Sequence, residues 1–166
     1  MPSWSRYVFN EVHAEPYDLG IQGLTFNVSA EASVTTATPI YFEFRTSTKT
    51  PVILHYMSQA LDASCRFTIY EAPSLTIGTT EIPSVNTHRQ IGTTATMKMY
   101  SNPTSVSAGT TLSTQIVGSG DHRSGGTTDD SAIWTLKTNT SYVAKVENLG
   151  NQTATYNLTM TWRELT

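Results

Sequence analysis

Apolar and polar residues alternate strictly along the C-terminal third of the chain. In "TATYNLTMTW", residues 153 to 162, Ala154, Tyr156, Leu158, Met160 and Trp162 share one face. Thr153, Thr155, Asn157, Thr159 and Thr161 share the other, which predicts a long strand with one face buried. Upstream, Tyr142, Ala144 and Val146 alternate with Lys145 and Glu147, and "NLGNQ" supplies Asn and Gly for a reversal, so the two strands are expected to form a hairpin. Ala132, Trp134 and Leu136 alternate in the same way and "KTNTS" turns the chain, which extends the expectation to a three-stranded meander.

The earlier part follows the same period. "PIYFEFRT" puts Phe42 and Phe44 on one face, "PVILHYMS" puts Val52, Leu54 and Tyr56, and "SCRFTIYEA" puts Cys65, Phe67 and Ile69. "STKTP" and "QALDA" read as the turns between them, and "SLTIGTTE", "TATMKMY" and "TLSTQIV" as further strands. There is no long segment of helical period; helix is expected for a turn or two, around Ser58 to Asp62. Some nine or ten short strands predict an all-β fold, an antiparallel β-sandwich of jelly-roll type. Residues 24–166 form that single domain, while residues 1–23 alternate poorly and read as an extended N-terminal arm or a first strand.

Composition supports the class. Threonine occupies 29 of the 166 positions and charged residues only 14%, which suits the solvated face of a pleated sheet better than a helix surface. A chain of this length buries roughly 70% of its unfolded surface and needs no covalent staple. The single cysteine, Cys65, stands at a strand-core position beside Phe67 and Ile69 and reads as a buried thiol. A net charge of -3 and a pI near 5.7, with no cluster of Lys and Arg, leave no positive field for nucleic acid. The opening "MPSWSRYVFNEVHAEP" has neither the basic start nor the apolar run of a signal peptide, and nothing approaches the roughly 20 apolar residues that span a bilayer, so a cytoplasmic origin without a membrane partner is expected.

Reactive groups crowd most closely in "VGSGDHRSGGTTDD", residues 117 to 130. The serine between Gly118 and Gly120 is not in the G-x-S-x-G order of a nucleophile elbow. Asp121, Asp129 and Asp130 are not in calcium-loop order, and Gly125 and Gly126 suit a reversal. The segment reads as a connecting loop. His13, His55, His88 and His122 lie far apart, with no metal-binding spacing, so neither metal nor other cofactor is expected. If their loops converge at one end of the sandwich, His88 and Arg89 of "HRQIG" would meet Asp121, His122 and Arg123, as a loop-end contact or an anion site. Asn27, Asn139, Asn151 and Asn157 begin N-x-Ser/Thr sequons that follow from the threonine content. No catalytic constellation is assembled.

Two stretches carry a resemblance. The C-terminal third sets a Gly-rich loop before a Trp-bearing strand, then Leu136, Lys137, Asn139, Thr140 and Tyr142 in "LKxNTxY", then an Asn-containing reversal into a strand ending at Trp162. With "TPIYFEFRTSTKTPVILHYMSQALDASCRFTIYEAP" and "NTHR", residues 38 to 164 are similar to small tailed-phage virion proteins. The resemblance implies a head decoration, cement or head fibre protein: a non-enzymatic homotrimer with a jelly-roll core that binds the major capsid protein on the virion surface. Trp4, Tyr7, Phe9 and Tyr17 of the arm are then the expected capsid or subunit contact, by strand addition. A tail-fibre or receptor-binding module that holds carbohydrate in its end loops would share the fold.

Overall fold

The structure, a computed structural model, describes residues 24–48, 50–76, 78–118 and 134–165, with the backbone alone at 56–59 and 61. The described residues form eleven strands and no helix. They are β1 (Thr25–Val34), β2 (Ile40–Arg45), β3 (Val52–Leu61), β4 (Cys65–Glu71), β5 (Thr80–Ile82) and β6 (Val85–Asn86). The remainder are β7 (Lys98–Ser101), β8 (Thr110–Val117), β9 (Trp134–Leu136), β10 (Ser141–Asn148) and β11 (Ala154–Glu164). The strongest alternation in the sequence became the longest strand: every second side chain of β11, from Ala154 to Glu164, is buried.

Two antiparallel sheets pack into a sandwich, one ordered β6-β1-β11-β3-β9 and the other β5-β7-β2-β10-β4-β8. Four nested pairs explain this order. β1 pairs with β11, β2 with β10, β3 with β9 and β4 with β8. A long hairpin folded at the β4–β8 connection and rolled up so that successive strands cross between sheets gives this pairing, closed by the β11–β3 and β10–β4 ladders. It is the eight-stranded jelly roll. The connection between β4 and β8 carries the remaining strands, adding β6 beyond β1 and β7 with β5 beyond β2.

Two expectations are corrected. β9, β10 and β11 are not a meander, and β10 with β11 is not a hairpin: β10 lies between β2 and β4 in one sheet, β11 between β1 and β3 in the other. Alternation reports which face of a strand is buried, and both sheets bury their inner faces in one core, so it is silent about neighbours. Nor is there a helical turn at Ser58 to Asp62. β3 stays extended to Leu61 because β11 offers ladder partners from Glu164 opposite Val52 to Thr155 opposite Leu61. The reversal is confined to the residues after it, with Asp62 at φ 71.

The core contains Phe26 stacked on Trp162, Phe44 on Tyr142 and Phe67 on Tyr156, with centroids 5.8, 5.4 and 6.2 Å apart. Leu158 and Met160 are fully buried, and Trp134, on the edge strand β9, only partly so. Cys65 is buried and its thiol is pushed up to about 11 by that burial, as a core position requires. Tyr142 extends to the end of the sandwich. Its hydroxyl accepts the Lys137 N–H at 2.8 Å and donates to Glu71 Oε2 at 3.2 Å. The Lys137 ammonium, 2.6 Å from Glu71 Oε1, holds that carboxyl below its ordinary range.

Candidate functional site

Of the predicted contact residues, His88 and Arg89 are described; Trp4, Tyr7, Phe9, Tyr17, Asp121, His122 and Arg123 lie outside the described residues. His88 begins a turn closed by its carbonyl accepting the Ile91 N–H at 3.1 Å, and its own N–H is held by Asn86 Oδ1 at 2.8 Å. Its Nδ1 is shielded from solvent without a hydrogen-bond partner, and Arg89 is exposed. Thr87 donates N–H and hydroxyl to the Thr25 carbonyl, which places this turn at the start of β1.

The glycine-rich segment leaves the described structure at Gly118, where Ser64 Oγ donates to the Gly118 carbonyl and Leu149 N–H donates to Ser64. That is the Val34 end of β1, since Asn148 Nδ2 reaches the Val34 carbonyl. The two ends of β1 are about 30 Å apart. The chain returns at Trp134, opposite Leu54, in the cross-strand row that runs through Trp162 and Phe26 to Asn86. Trp134 and Asn86 occupy opposite edges of that sheet, four strand spacings or about 19 Å apart. The His88 turn therefore neighbours neither the exit nor the re-entry of the loop.

Two carboxylates are buried that the sequence reading did not single out, Glu43 and Glu164, at 0% and 3% exposure. Glu164 Oε1 accepts N–H groups from Thr96 (2.7 Å) and Met97 (3.0 Å) and from the Trp162 indole (3.2 Å), while Oε2 accepts the Thr96 hydroxyl (2.8 Å). Four donors surround one carboxylate. Glu43 accepts Arg45 Nε and Nη2 at 2.5 and 3.0 Å and the Gly78 N–H at 3.0 Å. This pairing raises the Arg45 guanidinium above its ordinary value. Both carboxylates fasten loops to strands: Glu164 holds residues 96–97 to the end of β11, and Glu43 holds Gly78 to β2. A satisfied buried carboxylate of this kind stabilises a fold and leaves no lone pair directed at a substrate. Among the described residues, no group of three or more His, Cys, Asp or Glu is arranged to hold a metal ion.

Glu43 belongs to a larger feature, the outer face of the six-stranded sheet. Register places Val143 beside Glu43 and Tyr70, Tyr100 on the other side of Glu43, and Lys145 beside Tyr41 and Thr68. Val143, Glu43 and Thr68 face away from the core, yet they are 0%, 0% and 4% exposed. Half-buried Tyr41, Tyr70 and Tyr100 and the stems of Arg45 and Lys145 close over them, with the Arg45 guanidinium 4.5 Å above the Tyr100 ring. Charges on this face are paired: Arg45 with Glu43, Lys98 with Glu81, and both Lys145 and Arg66 with Glu147. Glu147 raises the Lys145 ammonium above its ordinary value, with Tyr41 and Tyr70 adding to it. The opposite outer face, on β1 and β11, carries small hydroxyls and amides that bond across strands, Asn27 to Thr161 at 3.0 Å and Ser29 to Thr159 at 3.1 Å.

Compared with models of known protein families, with characterised proteins and with solved structures, the chain matches none.

Proposed function

We propose that this chain is a non-enzymatic structural protein of a phage virion, a capsid decoration protein made in the host cytoplasm that binds the head surface as a homotrimer and stabilises it. The observation that carries the reading is the nested pairing of β1 with β11, β2 with β10, β3 with β9 and β4 with β8, the jelly roll of viral capsid and lectin domains. A fold hosts several functions; the resemblance of residues 38 to 164 to tailed-phage virion proteins selects among them. The commitment of Glu43 and Glu164 to backbone and indole donors fits a protein whose polar interior is structural. Antibody raised against the chain, carried on gold and applied to virions of the phage that encodes it, should label heads. Label confined to tail fibres, with signal on a glycan array, would replace this reading by the receptor-binding alternative.

A further inference from the structure

We propose that the outer face of the six-stranded sheet, centred on Val143, is the surface on which a second copy of this chain docks. It deepens the homotrimer of the proposed function and rests on that reading for the number of copies. The motivating observation is a second buried layer on a face that would ordinarily be solvated: Val143 is fully buried without belonging to the hydrophobic core. Tyrosine beside an ion-paired arginine stacked on its ring is the composition that distinguishes interface centres, because rigid aromatic area is covered at little cost in side-chain entropy. At the margin of the same face Ile116, beside Arg66, is 63% exposed.

Charge favours a second copy over a foreign partner. The face bears four cations and three anions, and all seven are engaged in ion pairs within it. Such a surface has little net field with which to attract an oppositely charged partner, whereas a mosaic of both signs suits a chain whose own net charge is only -3; in a closed trimer it meets a different face of the next copy, because a face paired with itself stops at two. Its size is adequate. At about 4.8 Å between strands and 3.3 Å per residue, six strands present a face of roughly 28 by 20 Å, so two copies remove about 1,100 Å² from water, above the roughly 1,000 Å² that a specific contact requires. Across the sandwich, the described outer positions of β1 and β11 bond to one another across strands and include no Tyr, Trp or Phe.

Light scattering coupled to size exclusion, on the full chain of 18.2 kDa from 1 to 100 µM, tests the contact. Wild type should elute at a multiple of the chain mass. Ile116→Glu and, separately, Thr114→Arg place charge at exposed positions of this face and should raise the concentration for half-assembly at least tenfold, with unchanged circular dichroism. Glu31→Lys, exposed on the other outer face, should assemble like wild type. A wild-type monomer at 100 µM, or Ile116→Glu and Thr114→Arg that both assemble like wild type, would overturn the proposal. Head binding is a separate readout: a multimer that ignores heads removes the decoration reading and leaves this contact, and a monomer that binds heads does the reverse.

Discussion

Replacing Glu164 tests whether a charge at a core position is a fastening. The carboxylate receives two backbone N–H groups, one indole N–H and one hydroxyl. Glu164→Ala leaves the buried Met97 and Trp162 N–H groups and the part-buried Thr96 N–H without an acceptor, while the Thr96 hydroxyl can rotate elsewhere. At about 1–3 kcal/mol per unsatisfied donor, with incomplete additivity, the expected loss is about 3–5 kcal/mol. Glu164→Gln keeps the shape. Its carbonyl can take the Oε1 position and its amide can donate to Thr96 Oγ1, so only the charge assistance of about 1 kcal/mol per bond disappears, for a loss of roughly 1–3 kcal/mol. For a chain of this size each kcal/mol lowers the melting temperature by about 2–4 °C. Urea unfolding followed by tryptophan fluorescence measures both variants, and amide exchange should show protection lost first at Thr96 and Met97. A Gln variant as damaging as the Ala variant, or an Ala variant that costs under about 1 kcal/mol, would refute the reasoning and return the carboxylate to water.

The other predictions concern the core, the backbone and pH. Leu158→Ala, fully buried in β11, should cost about 2–5 kcal/mol through lost transfer energy and the remaining cavity, read as a shift in urea midpoint. A Cβ at Gly109 would fall 2.1 Å from the Glu71 carbonyl oxygen and 2.8 Å from Pro73 N, so Gly109→Ala should destabilise by roughly 1–3 kcal/mol or rearrange that corner, seen by calorimetry. Burial raises Cys65 from 9.0 to about 11 and Tyr142 from 10.0 to about 12. Raised values favour the neutral folded forms, so their stabilisation is complete below about pH 9 and is lost as pH rises through 9 to 12, because the unfolded chain releases these protons first. Base titration followed by near-ultraviolet circular dichroism should show that loss, and Cys65→Ala should flatten its lower part.

The fold class was legible because faces are encoded locally. Val52, Leu54, Cys65, Phe67 and Ile69 occupy the core faces their alternation predicts, and Glu164 continues the parity of Leu158, Met160 and Trp162, so its burial was readable. The pairing of strands was not. Whether β10 joins β11 or crosses to the other sheet depends on β2 and β4, about 75 to 100 residues earlier in the chain, and period-two spacing carries no term for them. The second layer was hidden for the same reason. Glu43 lies between Phe42 and Phe44 and reads as solvent-facing; its cover comes from Tyr100 on β7, Gly78 in a loop and Val143 on β10, which only the register brings together. For the predicted contacts, a turn residue declares itself by composition, as His88 and Arg89 do, but its neighbours in space are set by strand order.

Sedimentation of the purified full chain with heads of the phage proposed to encode it, prepared from particles lacking the protein, tests the central claim most directly. The account predicts that it pellets with the heads, saturates at a whole multiple of three chains per binding position, and raises the temperature at which the heads release their DNA. Protein that remains in the supernatant at saturating concentration, with heads no more resistant than before, would contradict it.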